Sequence, residues 1–370
     1  MKKYILPSAT ILALALGVSS CEKDKKKEES GTYTVPSTYE FENIDYSGQT
    51  ARLGMLAEMS SYLKSANASG VIIDENRALA MYENGPDANF TGSFDASKQL
   101  KSKTISTEQG LMSSLITNLG TISSVTSDAA DGTAGRIKNN AKTKEYLLND
   151  NGIELAQVIE KGLMGSCFYY QATSVYFGAS KMDVDNETIE AGKGTKMQHH
   201  WDEAFGYFGV PLDFPLNNSG VFFWGKYTNS RDGVLDCNSK IMNAFIQGRA
   251  AIGAKNISDR DAAIATIRSE WEKVSAASAI HYLNSALASF TSDRGVVHHA
   301  LSEAIAFTYS LKFNVEKSAS LSEIDDYLIT LAGSSDISKM NLYKITKENV
   351  ERVKENMSNK YGFTAIADTL

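Results

Sequence analysis

From about residue 47 to the C-terminus, apolar positions return every three or four residues, the period of an amphipathic helix. Arg52, Leu53, Leu56, Met59, Ser60 and Leu63 recur at helical steps and predict a first helix over 47–66, ended by the stretch 67–70. A short helix over 76–83, a polar loop over 85–106 and a helix in "STEQGLMSSLITNLGTISS" follow. "TSDAADGTAGRIKNN" then reads as a turn-rich connection. The stretch 151–177, "NGIELAQVIEKGLMGSCFYYQATSVYF", is apolar nearly all round, as a helix buried on most sides must be. Its glycines at 162 and 165 predict close crossings by other helices.

The sharpest boundaries lie in "GKGTKMQHHWDEAFGYFGVPLDFP". Thr195 and Gln198 match a Thr-x-x-Gln capping box, and Gly209 with Pro211 supplies the stop, so 196–208 is helical. Long helices over 238–255, 260–289 and 293–313 come next, then shorter ones over 321–331 and 347–360. "GVFFWGKY" fits neither period for long and reads as a loop. The fold class is therefore all-α, a helical bundle in which short connections make neighbours antiparallel.

The chain start carries a different pattern. "MKKYILPSATILALALGVSS" has two lysines, an apolar run and then small residues, the layout of a secretory signal and too short to span a bilayer. "LGVSSC" resembles a bacterial lipobox and makes Cys21 the acylated N-terminus of the mature protein. The run "EKDKKKEESGT" has no apolar residue and reads as a solvated tether. The organisation is thus signal 1–20, lipid-anchored tether 21–38 and helical domain 39–370, with sub-bundles 39–190 and 191–370. The charged run after Cys21 resembles the export tag of surface lipoproteins, which places the anchor in the outer membrane, facing the cell surface or the periplasm.

Charge excludes one class of partner. The 370-residue chain has 37 basic and 44 acidic residues, and losing Lys2 and Lys3 with the signal leaves 35 against 44, a net charge of -9 that argues against nucleic acid. Beyond Cys21 only Cys167 and Cys237 remain, and both are expected as free thiols, Cys167 in the core.

The candidate chemistry is imidazole and carboxylate. Four of the five histidines form two doublets, His199–His200 and His298–His299, each followed by a glutamate, Glu203 and Glu303. At 100° per residue Trp201, Phe205 and Phe208 form one stripe of the first helix, with His199, Glu203 and Gly206 on the far side. His299 and Glu303 repeat the four-residue spacing opposite a Val297, Leu301, Ala304 stripe. If the two helices converge, His199, His200, Glu203, His299 and Glu303 form a set suited to iron or zinc. The alternative is two i,i+4 surface pairs without further role. His281 reads as a core histidine. The chain has no His-Glu-x-x-His, Cys-x-x-Cys, Gly-x-Ser-x-Gly or phosphate loop.

The lipobox, "YEFENIDYSGQTARLGML", "QVIEKGLMGSCFYYQ" and "HHWDEAFGYFG" together resemble a family of bacterial lipoproteins of the DUF4856 type, related to the imelysin-like proteins. The resemblance implies two helical bundles in the bacterial envelope, an association with iron regulation and, in the founding member, peptidase activity. Of the imelysin-like signature Gly-x-His-x-x-Glu, His200 and Glu203 are present, while Gln198 holds the glycine place. Three functions follow as expectations. The first is capture of a metal or metal-bearing ligand in iron or nutrient acquisition. The second is a metallopeptidase with Glu203 as general base. The third is a surface interaction protein with an envelope partner.

Overall fold

The computed structural model describes Met1 and residues 32–370, so the leader and Cys21 lie outside the described residues. Among these the chain forms twelve α-helices and one two-stranded hairpin. In order they are α1 (Ser47–Lys64), α2 (Glu75–Glu83), α3 (Ser106–Ile122), β1 (Gly135–Lys138), β2 (Glu145–Leu148), α4 (Leu155–Leu163) and α5 (Ala179–Met182). Then follow α6 (Lys196–Phe208), α7 (Phe223–Leu235), α8 (Cys237–Gly253), α9 (Ile257–Ser289), α10 (Arg294–Ser310), α11 (Leu321–Ala332) and α12 (Lys347–Tyr361). The all-α fold read from periodicity is the observed one. No described helix is long and apolar enough to cross a membrane.

α4 runs on through two π-helical stretches, Met164–Tyr169 and Gln171–Tyr176, giving the buried central rod that the apolar run predicts. Its glycines mark the crossings. A Cβ on Gly165 would lie 2.9 Å from Ser310 Cα on α10, and one on Gly162 would lie 3.1 Å from Met112 of α3. Around this rod Trp201, Trp224 and Trp271 are fully buried, and Tyr169 packs against Trp224 and Trp271 with ring centroids 5.5 Å away in each case.

Residues 33–370 form one compact unit. α4 packs on α10 and α1 on α6, so helices from 39–190 and 191–370 share a single core instead of forming separate sub-bundles. The tether also ends earlier than expected. Tyr33 donates a hydrogen bond to Asp259 at 2.7 Å, and Tyr39 is buried, stacked on Phe205 with its hydroxyl on Asp202. Cys167 and Cys237 are buried free thiols.

Two elements depart from the sequence reading. The turn-rich connection holds β1, paired antiparallel with β2 in the register Gly135–Leu148 to Lys138–Glu145. "GVFFWGKY" starts the helix α7 in spite of Gly225 and Gly233. Burying an indole such as that of Trp224 contributes on the order of 5 kcal/mol, more than the roughly 1 kcal/mol each helical glycine costs. Trp224 also donates its indole N–H to Met164 O at 2.8 Å. Tertiary packing therefore sets this helix.

Candidate functional site

α6 begins at the predicted cap. Thr195 Oγ1 accepts from Gln198 N–H at 3.2 Å, and Gln198 Oε1 accepts from Thr195 N–H at 2.9 Å. That bond gives Gln198 a capping role. The Trp201, Phe205 and Phe208 stripe faces the core. On the opposite side, a Cβ on Gly206 would come within 2.7 Å of Tyr46 Cβ and 2.9 Å of Gln49 Cβ, so α1 fills the gap that this glycine leaves.

Glu203 is the centre of the α6 group. Its Oε1 accepts from Gln49 Nε2 at 3.1 Å and from Tyr176 Oη at 2.9 Å, and its Oε2 accepts from His200 Nδ1 at 3.0 Å. His199 Nε2 stands 3.9 Å from the same Oε2. Burial pushes the Glu203 carboxyl up, but the hydrogen bonds from His200, Gln49 and Tyr176 and the nearby His199 outweigh it and hold the group down at about 2. A carboxylate so well supplied with donors is a weak base and has little left to offer a metal.

The second pair occupies a different place. His299 Nδ1 donates to Glu154 Oε2 at 2.6 Å, and Tyr146 of β2 stacks on its ring at 4.9 Å. Glu154, at the start of α4, is fully buried and also accepts from Asn67 Nδ2 at 2.9 Å. Burial raises the Glu154 pKa, yet the His299 and Asn67 bonds and Lys161 bring it below the usual range. The other imidazole nitrogen, Nε2, lies 3.5 Å from Glu303 Oε1. Lys161 reaches that oxygen at 3.5 Å and Glu160 at 2.8 Å, while Lys64 meets the far oxygen of Glu160 at 2.5 Å.

Lysines and carboxylates therefore alternate from Lys64 to Glu303 across α1, α4 and α10, and the His299 imidazole stands between Glu303 and Glu154. Lys161 is 2% exposed, and its neighbouring carboxylates Glu160 and Glu303 overcome burial and raise its pKa, so it is a permanent cation. Glu160 is held at about 2, burial opposing and Lys161 and Lys64 prevailing.

All of this row except Glu154 lines a cleft of about 540 Å³. α1 contributes Ala57, Ser60, Ser61 and Lys64, and α4 contributes Gln157, Glu160 and Lys161. The start of α7 supplies Val221, Phe222, Phe223, Lys226 and Tyr227, and α10 supplies His299 and Glu303. Two of the lining residues, Glu303 and Ser60, each have one side-chain oxygen, Oε2 and Oγ, that is buried without a hydrogen-bond partner among the described residues.

The two His–Glu groups do not converge, which corrects the shared centre of His199, His200, Glu203, His299 and Glu303. Gln49, which holds Glu203, is near the start of α1, and Lys64 of the cleft row is its last residue. The fifteen residue steps from one to the other make roughly 22 Å of helix. Metal ligand bonds reach only about 2.0 to 2.3 Å. Among the described residues no group of three or more His, Cys, Asp or Glu side chains is placed to hold a metal ion. His298 is elsewhere again: fully buried, it donates Nδ1–H to Gly152 O at 2.9 Å, and burial with Arg294 pushes its pKa down to about 4. His281 is half-buried against Tyr282, not a core residue.

Sequence reasoning missed Glu154, Glu160 and Lys161. Their signal was present, since charged residues inside a run apolar on all sides must be buried and paired.

Fold and site together define an all-α protein with a charged, aromatic-walled cleft between its helices. The chain belongs to the domain-of-unknown-function family DUF4856, whose model matches residues 36–364. Neither a curated protein nor a solved structure matches it.

Proposed function

We propose that the protein is an envelope lipoprotein, anchored in the outer membrane through an acylated Cys21, whose helical body captures a small polar ligand for nutrient uptake. The signal, the lipobox and the charged run after Cys21 support the anchor. The resemblance to imelysin-like proteins supports an envelope role. One observation carries the capture site: a cleft of about 540 Å³ in which the buried charged side chains Glu160, Lys161 and Glu303 line one side and Phe222, Phe223 and Tyr227 the other. Iron or zinc belongs to this reading as cargo carried by such a ligand, with His299 and Glu303 as the groups that would meet it.

A thermal-shift screen of polar metabolites, iron salts and zinc tests the reading on the detergent-solubilised mature protein and on Ser61→Trp, which fills the cleft from its exposed rim. A ligand at a hundredfold excess over its Kd stabilises the wild type by about 2.7 kcal/mol. That shift is expected to vanish in Ser61→Trp. An equal shift in both proteins, lost instead in a His199→Ala, Glu203→Gln variant, would move the site to α6.

A further inference from the structure

We infer that the ligand of this cleft is a small organic anion whose charged group sits beside an apolar body, an aromatic carboxylate in the simplest case; the inference rests on the cleft being the capture site. The sign of the charge comes from which lining groups are already paired. Glu160 meets Lys64 at 2.5 Å and Lys161 at 2.8 Å, and Glu303 meets Lys161 and His299, each at 3.5 Å. Glu154 stands behind His299, fully buried and outside the lining. A cationic ligand would therefore have to compete with a lysine already in place for either lining carboxylate.

Lys226 is placed differently. It lines the cleft from α7, is exposed, and has no carboxylate within ion-pair distance among the described residues. Its neighbours one helical turn away are Phe222, Phe223, Asn229 and Ser230, none of them acidic. An anionic group entering the cleft finds this ammonium free. No side chain caps the start of α7, so the amino end of that helix adds positive potential on the same side. A wet ammonium contributes little affinity by itself but decides the sign of what binds.

The affinity has to come from the wall. Phe222 is 39% exposed beside Phe223, and with Tyr227 they make the apolar side of the cleft. Phe223 holds φ at +39°, a left-handed conformation that is strained for a bulky residue, so its ring is kept in the wall against the backbone's preference. Lys226 follows the two phenylalanines by four and three residues, a spacing that brings side chains to about 5–6 Å of one another. A ligand that uses both must carry its charge directly beside its apolar part. Inorganic phosphate or acetate would satisfy the ammonium and leave the rings wet, whereas an aromatic carboxylate covers both. A cleft of about 540 Å³ is of the size that holds small organic molecules.

The test is calorimetry and ligand-observed NMR on the detergent-solubilised mature protein, with protein-free micelles as the blank. Phenylacetate and indole-3-acetate are the probes. Their amides, the amines phenethylamine and tryptamine, and the small anions acetate and inorganic phosphate are the comparators. At least one of the two carboxylates is expected to bind, about fivefold or more tighter than its amide and its amine. That preference is expected to disappear in Lys226→Ala and to reverse toward the amine in Lys226→Glu. Phe222→Ala should weaken binding about fivefold and keep the preference, and Ser61→Trp should abolish binding. All four substitutions change exposed side chains, so each reports on a folded protein. An amide, amine or small anion that binds as tightly as the carboxylates, and is lost in Ser61→Trp, would overturn the inference and leave the capture site standing. A preference for the carboxylate that survives in Lys226→Ala, or no carboxylate binding at millimolar concentration, would also overturn it. Carboxylate binding that is unchanged in Ser61→Trp would overturn both.

Discussion

Glu203 shows how much a single side chain can be read from sequence. Its spacing from His199 and His200 correctly puts three polar groups on one turn, but the residues that decide its chemistry, Gln49 and Tyr176, are 154 and 27 positions away. Spacing along a helix reveals neighbours one turn off and nothing of partners on other elements. The same limit hid Glu154 from His299, with 145 positions between them. The sign of the Glu203 effect on stability follows from its depressed pKa. Its contribution is fully present above the ordinary value near 4.5 and is lost as pH falls toward about 2. Glu203→Gln is therefore expected to cost on the order of 3 kcal/mol at pH 7 in denaturant melts, with the difference from wild type shrinking between pH 4.5 and 2. A difference that stays constant over that range would mean the carboxylate charge is not what these donors stabilise.

At the scale of elements, helices with local signals were legible and those set by contact were not. α6 carries a capping box, a glycine stop and an aromatic stripe, and the structure starts and ends it at Lys196 and Phe208 as those signals predict. α7 has an uncapped start and two glycines, and it exists because Trp224 is drawn against Tyr169 and Trp271. The β1–β2 hairpin was hidden in a polar, turn-rich run, although it delivers the ring that stacks on His299. The crossing of the central rod with α10 gives a firm expectation. Gly165→Ala would force its methyl against Ser310, so overpacking should cost about 1–3 kcal/mol, read as a lower midpoint in urea. A neutral result would show that α4 and α10 can separate freely at that point.

For the whole molecule, the fold class was legible because the period of 3.6 persists through most of the chain, while the single core was not, because which helices share it depends on long-range packing. The two histidine doublets suggested one centre, yet α1 runs between the groups and holds them at opposite ends. The anchor belongs to this scale as well. An alkyne-tagged fatty acid is expected to label the wild-type protein in cells and not Cys21→Ala, and equal labelling of the two would remove the lipid attachment proposed above. The central claim, that the cleft beside His299 and Glu303 is the functional site and the α6 turn is not, is tested most directly by long-range ¹H–¹⁵N NMR of the five imidazoles during titration with a ligand found in the cleft screen. The account predicts that the Nε2 signal of His299 moves with saturation while those of His199 and His200 stay in place. Movement of His199 and His200 with His299 unchanged would contradict it.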